Sequence, residues 1–171
     1  SSWIRTSRAG TALAEDGRDA VRASYAANPN PLGHVATLIV PADCAWGEGR
    51  YTDTEVIRPL PRAQVPRDVI ASVAGELDSS CVLLLDGAAL TEPGIVASGR
   101  IAAATGCRIY STTFPARVES GPGLPAVTRL PYFPEQVLET LKDVRRLVLA
   151  GAEAPVSFFA YRNMPSNLVP D

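Results

Sequence analysis

A short run of apolar residues, Cys81 to Leu85, is the sequence feature that most constrains the fold. The run has no polar residue within it, and the turn Asp86-Gly87 follows it directly. A fully apolar strand of this kind is typical of the centre of a parallel sheet, where helices cover both faces. The chain is therefore expected to contain a parallel α/β sheet.

Amphipathic segments alternate with short apolar runs on either side of this strand. Three of them predict helices, with Thr91 as an N-cap, Gly106 as a C-terminal stop and Pro134 in a first turn. The alternation predicts an α/β fold with a doubly wound, mostly parallel Rossmann-like sheet and helices on both faces. The strands predicted for this sheet are Cys81–Leu85, Arg108–Ser111, Arg146–Leu149 and Val156–Phe159.

The first part of the chain, residues 1–46, carries a helix and a strand of its own. Asp16 is the expected N-cap of the helix, and Ala36–Val40 forms the strand. Residues 47–65 are rich in proline, glycine and arginine, which predicts an extended linker. We therefore expect three parts, the last being an α/β domain at residues 66–171.

The composition excludes several classes of protein. Apolar residues make up 46% of the chain and charged residues 20%, which is ordinary for a globular domain. A net charge of −2 offers no basic face to nucleic acid, and no apolar run reaches the ~20 residues that span a bilayer. We therefore expect neither a nucleic acid nor a membrane as partner.

The three cysteines, Cys44, Cys81 and Cys107, are odd in number and widely spaced. This pattern argues against a disulfide framework and against a zinc site. It favours a reducing compartment, so a cytoplasmic location is expected.

Small residues follow two of the predicted strands at the carboxyl edge of the sheet, where ligands bind in doubly wound folds. They are the candidate nucleotide-binding residues, Gly87, Ala88, Ala89, Gly151 and Ala152. The sequence contains neither GxGxxG nor GxxxxGK[ST], so two ordinary turn glycines remain the alternative. No triad, paired-carboxylate site or metal site is recognisable, so no catalytic or metal-binding residue is predicted.

Two stretches of the sequence resemble thiamine-diphosphate enzymes. GHVATLIVPADCAW at 33–46 is similar to the strand and P-x-D that close the pyrimidine-binding domain of that family. There a proline-rich linker and a central α/β domain follow, in the order predicted here. Residues 130–161 resemble the later part of that central domain in acetolactate-synthase-like large subunits, whose PVxFFAYPGKPS reads PVSFFAYRNMPS in this chain.

The resemblance implies a central, non-catalytic structural region of a thiamine-diphosphate-dependent enzyme of acetolactate synthase or 2-oxo acid decarboxylase type. Residues 1–46 would be the C-terminal helix and strand of the pyrimidine-binding domain, and 66–171 the central domain, truncated at its C-terminal end. The family's activating glutamate would lie upstream of Ser1, and its Gly-Asp-Gly metal motif downstream of Asp171. This region alone is then expected to be inactive.

The resemblance also implies cofactors and partners. The full-length parent would use thiamine diphosphate (thiamine pyrophosphate) and Mg²⁺, and the partners would be its remaining domains within a homo-oligomer. In flavin-containing relatives a glycine-rich turn holds FAD, and the matching turn here is Asp86-Gly87-Ala88-Ala89. Because aspartate and alanines replace glycines, we expect no tightly bound flavin and no cofactor held by this fragment.

Two alternatives to a region of a thiamine-diphosphate enzyme remain open. One is a free-standing Rossmann-like module that binds FAD, NAD or ADP. The other is a scaffold or interaction domain that shares the sheet.

Overall fold

The structure is a computed structural model that describes residues 3–25, 34–50, 57–58, 64–160 and 162–169. The chain divides into two units, Ser1–Gln64 and Val65–Asp171. The linker predicted at 47–65 lies partly outside the described residues.

The first unit contains a β–α–β arrangement. Its elements are β1 (Trp3–Thr6), α1 (Leu13–Ser24), β2 (Ala36–Ile39) and α2 (Ala42–Trp46). β1 and β2 pair in parallel, from Trp3 opposite Ala36 to Thr6 opposite Ile39. The strand expected at Ala36–Val40 is confirmed, one residue shorter. β1 was not predicted from the sequence.

Asp16 does not cap α1, contrary to the expectation from the sequence. The N-cap is Ala12, and Asp16 lies in the first turn of the helix. Its carboxylate accepts hydrogen bonds from Ser7 Oγ at 2.8 Å and from Arg5 Nη1 at 3.0 Å, and the same Nη1 reaches Asp19 Oδ2 at 2.7 Å. These bonds lower the pKa of Asp16 below its usual value, the Ser7 hydroxyl contributing most and Arg5 next. Asp16 therefore fastens α1 to β1.

The second unit contains the predicted sheet. Its elements are α3 (Arg67–Gly75), β3 (Cys81–Leu85), a 3₁₀ turn (Gly87–Leu90), α4 (Glu92–Thr105), β4 (Arg108–Ser111), β5 (Thr128–Arg129), α5 (Pro134–Leu141) and β6 (Arg146–Ala150). The strand order is β5-β4-β3-β6, and every neighbouring pair is parallel. α4 packs against one face of the sheet and α5 against the other. The predicted α/β fold with a doubly wound parallel sheet is therefore confirmed.

Alternate residues of β3 supply the two cores of this unit. All five side chains of β3 are buried. Val82 and Leu84 pack with Val137 of α5 on one face. The other three β3 residues pack with Ala102 of α4 on the opposite face. This division explains why β3 has no polar position: a strand between two helical layers has no side chain that faces water.

Three of the four predicted strands form as expected, with β6 one residue longer. The fourth, Val156–Phe159, is wrong. Val156 instead makes an isolated antiparallel bridge to Asn167, flanked by hydrogen bonds from Ser157 N to Ser166 O and from Leu168 N to Pro155 O, each 2.9 Å. The chain folds back on itself here, and this brings the Leu168 side chain into the α5 core, where it is 2% exposed.

Candidate functional site

The carboxyl ends of β3 and β6 define the candidate crevice. β4 lies on one side of β3 and β6 on the other, so the order of the strands reverses between β3 and β6. In open α/β sheets, ligands bind at such a switch point. Gly87 follows β3 and Gly151 follows β6. A Cβ placed on Gly87 would lie 4.0 Å from the Gly151 carbonyl oxygen. The structure therefore brings the two predicted glycines together.

Both glycines have backbone conformations that other residues rarely adopt. The φ angle is +50° at Gly87 and +69° at Gly151. At Gly151 a Cβ would also lie only 2.7 Å from the Asp86 carbonyl oxygen. The tight turns are by themselves a sufficient reason for glycine at both positions.

The three predicted alanines are placed less favourably for a ligand. Ala88 and Ala89 belong to the 3₁₀ turn, and Ala89 packs against the α4 core. Ala152 packs against the α5 core. Two of the three alanines therefore contribute to packing within the domain.

Asp86 places its carboxylate at the start of the turn. Oδ1 accepts a hydrogen bond from the Gly87 amide, and Oδ2 accepts one from Thr112 Oγ1, both at 2.6 Å. The Asp86 amide donates to the Ala150 carbonyl oxygen at 3.1 Å. Asp86 thus joins the ends of β3, β4 and β6, and it occupies the Gly87 amide, which is the first amide of the turn.

The start of α4 is also occupied by a carboxylate. Thr91 is the N-cap, as predicted, although its hydroxyl donates to the preceding turn rather than capping the helix. The Glu92 amide donates to Glu119 Oε2 at 2.5 Å, and Pro93, the next residue, has no amide hydrogen. Glu119 could not be predicted from the sequence, because it lies in a loop 27 residues along the chain from Glu92.

Gly94 is a second residue that the sequence analysis missed. A Cβ at Gly94 would lie 2.5 Å from the Ala89 carbonyl oxygen and 2.8 Å from the Ala89 Cα atom, so only glycine lets α4 lie this close to the 3₁₀ turn. Close helix packing is the role of the third glycine in dinucleotide fingerprints. The available signal was a glycine in the first turn of a helix, where glycine is otherwise unfavourable.

Five aromatic rings form a cluster that follows β4, β5 and β6 along the chain. Tyr132 is its centre and lies within 5.1 to 6.4 Å of the other four ring centroids. All five side chains are exposed, from 39% for Tyr132 to 63% for Phe114. We call this the aromatic cluster; its members are Phe114, Tyr132, Phe133, Phe158 and Phe159.

The three cysteines are buried and free, so they form no disulfide. Burial raises the pKa of the Cys44 thiol, which disfavours the reactive thiolate. Across the described ranges, no group of three or more His, Cys, Asp or Glu side chains could hold a metal ion. Two surface grooves also occur, one along α4 between Ala97 and Ala104 and one between α3 and β6.

Within the described part of the chain, no helix has the length and apolar character that crossing a bilayer requires.

The strand order, the helices on both faces and the glycine turns at the switch point define a Rossmann-like α/β protein. More particularly, the chain is similar to "Putative acetolactate synthase large subunit IlvX" from Mycobacterium tuberculosis (strain ATCC 25618 / H37Rv). The two are 44% identical over 172 aligned residues, which cover 99% of this chain. The chain spans 32% of that protein's length. The expected resemblance to an acetolactate-synthase-like large subunit is confirmed.

No family model matches the chain, and no solved structure matches it.

Proposed function

We propose that this chain is the central, non-catalytic structural region of a thiamine-diphosphate-dependent enzyme of acetolactate synthase or 2-oxo acid decarboxylase type. The observation that carries the proposal is the 44% identity over 99% of the chain. In this proposal residues 1–46 end a pyrimidine-binding domain, 47–65 form a linker and 66–171 belong to the central domain. The parent's activity, its thiamine diphosphate and its Mg²⁺ are all parts of the proposal.

Two carboxylates that accept hydrogen bonds from the Gly87 and Glu92 amides support a structural role over nucleotide binding. A dinucleotide places its phosphates against backbone amides at the first turn and at the following helix N-terminus. Here the carboxylates of Asp86 and Glu119 already accept from those amides. Gly87, Ala88, Ala89, Gly151 and Ala152 then form a degenerate crevice that binds no nucleotide tightly.

Electrostatics strengthens this interpretation. A phosphate that approached the Gly87 amide would meet the Asp86 carboxylate. At ~4 Å and an effective dielectric constant of ~20, two like charges repel by about 4 kcal/mol. That repulsion lowers affinity by roughly three orders of magnitude. The Asp86 carboxylate is held in place by Thr112, so turning it away would break a second hydrogen bond.

The aromatic cluster supports a region that packs within a larger protein. Contiguous exposed apolar patches on soluble proteins commonly mark surfaces that another part of the assembly covers. The chain corresponds to 32% of the mycobacterial relative's length. We therefore propose that the remaining domains of the parent chain cover the cluster, in a cytoplasmic homo-oligomer.

A domain replacement tests the proposed function. The segment of the mycobacterial relative that aligns with this chain is exchanged for residues 1–171. We expect the chimera to fold, to unfold thermally as one protein close to the temperature of the intact relative, and to keep whatever thiamine-diphosphate-dependent turnover of pyruvate the relative shows. A matched control carries an unrelated Rossmann domain of similar length at the same place. A chimera that behaves no better than this control would contradict the proposal.

The free-standing nucleotide-binding module remains the second candidate. The sheet order, with β3 between β4 and β6, and the paired turns at Gly87 and Gly151 favour it. It requires the Asp86 and Glu119 carboxylates to leave the amides that they occupy. A nucleotide titration separates the two candidates directly.

A further inference from the structure

The outer edge of β6 has no neighbouring strand in the described part of the chain. β6 is the last strand in the order β5-β4-β3-β6, so only β3 pairs with it among the described residues. The Ala150 carbonyl oxygen accepts from the Asp86 amide at 3.1 Å, so the backbone groups of Ala150 point toward β3. Because these groups alternate in direction along a strand, the amides and carbonyls of Leu147 and Leu149 point outward.

The side chains of β6 are typical of an interior strand. Leu147 packs against the α5 core, whereas Val148 and Ala150 pack against the α4 core. Natural edge strands are usually protected by charged residues, by proline or by a bulge. β6 has one charged residue, Arg146 at its first position, and is otherwise as apolar as the central β3. Such a pattern is typical of a strand with neighbours on both edges and helices on both faces.

A groove of about 230 Å³ runs between α3 and β6. Leu147 and Val148 both line it, although successive side chains of a strand point to opposite faces, so the groove follows the edge of β6. Val73 of α3 also lines the groove, and Val69, Ile70 and Val73 are all exposed. The outer edge of β6 and these three α3 residues therefore form one continuous surface, which we call the open edge.

The geometry of the sheet selects the kind of partner. A row of outward-pointing amides and carbonyls is satisfied by another strand. Every strand pair of this sheet is parallel, and parallel sheets have both faces covered, as the apolar β6 requires. A second copy related by a two-fold axis would instead place β6 antiparallel to β6. A parallel strand, which a crossover helix accompanies, therefore fits the open edge best.

We propose that β6 is an interior strand of a larger sheet, and that a parallel strand from a part of the parent chain outside residues 1–171 pairs with the open edge. The inference rests on the proposed function, which supplies the parent chain. The chain spans 32% of the mycobacterial relative's length, so most of that protein lies outside the aligned segment. The open edge is a different surface from the aromatic cluster and takes a different kind of partner, a strand.

Hydrogen exchange of two adjacent amides tests the proposal. The Val148 amide faces β3, and the Leu149 amide faces outward. In the monomeric 171-residue chain we expect Leu149 to exchange at least about tenfold faster than Val148, the effect of one missing hydrogen bond. In the chimera with the mycobacterial relative we expect both amides to be equally protected. Equal protection in the monomeric chain, or a folded chimera in which Leu149 still exchanges faster, would overturn the proposal.

Leu149→Pro blocks the open edge without removing a bond to β3. Proline lacks the amide hydrogen, which points outward at position 149 and toward β3 at position 148. In the monomeric chain we expect Leu149→Pro to lower the melting temperature much less than the matched control Val148→Pro. In the chimera the two variants should be equally damaging. If Leu149→Pro were as well tolerated in the chimera as in the monomeric chain, the open edge would have no strand partner.

The intact mycobacterial relative separates this inference from the proposed function. A chimera that does not fold counts against the proposed function, and the exchange measurement is then made on the relative at the residues aligned with Val148 and Leu149. Protection of both amides supports a strand on the open edge. Fast exchange at the residue aligned with Leu149 alone would overturn the inference.

Discussion

At the scale of single residues, several carboxylates accept hydrogen bonds from groups of the same chain. Asp16 accepts from Ser7 and Arg5, Asp86 from Gly87 and Thr112, and Glu119 from Glu92. Such bonds are stronger than those between neutral groups, and they tie together segments that lie far apart in the sequence. In the second unit they take up amides that a nucleotide would use.

The first residue-scale prediction concerns Asp16 and pH. Because its pKa is lowered from the usual 3.8 in the folded protein, ionised Asp16 stabilises the fold above about pH 4. This stabilisation disappears as pH falls through the lowered native pKa. We expect the stability difference between wild type and Asp16→Asn to be largest above about pH 4 and to shrink below it. Urea unfolding of both proteins at several pH values measures this stability difference. A difference that does not change with pH would contradict the role of Asp16.

The second residue-scale prediction concerns Gly94. Gly94→Ala forces a Cβ against the Ala89 backbone and should cost about 1–3 kcal/mol of unfolding free energy. Gly75→Ala is the control, since Gly75 is a helical glycine of the same unit with nothing within 4 Å of an added Cβ. It should be neutral or stabilise by at most about 1 kcal/mol. Chemical denaturation measures the unfolding free energy of both variants. Equal changes in the two variants would show that α4 does not pack against the 3₁₀ turn as described.

At the scale of elements, local patterns determined what could be predicted. β3 and β4 have the predicted bounds, because an apolar run between turn residues is a local signal. α4 ends at Gly106, whose φ is +76°, as its glycine predicted. β5 was not predicted because it has only two residues, and β1, at the start of the described chain, was not predicted either.

Contacts between distant segments could not be predicted from local patterns. Glu119 and the aromatic cluster owe their positions to segments that the sheet brings together. The amphipathic segment that became α3 is a different case: the helix forms, yet Val69 and Ile70 are 45% and 54% exposed. Periodicity predicted the helix, but it does not show what the helix packs against.

The third prediction concerns the fold-back of residues 155–157 onto 166–168, an element that replaced a predicted strand. Leu168, 2% exposed, anchors it in the α5 core. Leu168→Ala should cost about 2–5 kcal/mol of unfolding free energy. Leu149, a residue of β6 that is 43% exposed, provides the matched control, and its replacement by alanine should cost less than about 1.5 kcal/mol. If thermal or urea unfolding gave the two variants the same stability, the fold-back would not be docked as described.

At the scale of the whole molecule, the second unit has a parallel sheet with a switch point between β3 and β6, and two carboxylates of the same unit accept hydrogen bonds from the Gly87 and Glu92 amides. Sequence similarity over 99% of the chain connects it with an acetolactate-synthase-like large subunit. The sheet order and the glycine turns would suit a dinucleotide. Asp86 and Glu119 occupy the amides that such a ligand needs. The proposed role as a structural region of a larger enzyme is compatible with all of these features.

A calorimetric titration of the purified 171-residue chain with FAD, together with its absorbance in the flavin bands, tests this central claim most directly. ADP and NAD serve as companion ligands that share the phosphate chemistry. We expect no flavin absorbance and no saturable heat with any of the three, because the Asp86 and Glu119 carboxylates already accept hydrogen bonds from the Gly87 and Glu92 amides. Sub-micromolar binding of FAD would contradict it and would establish the domain as a working nucleotide site.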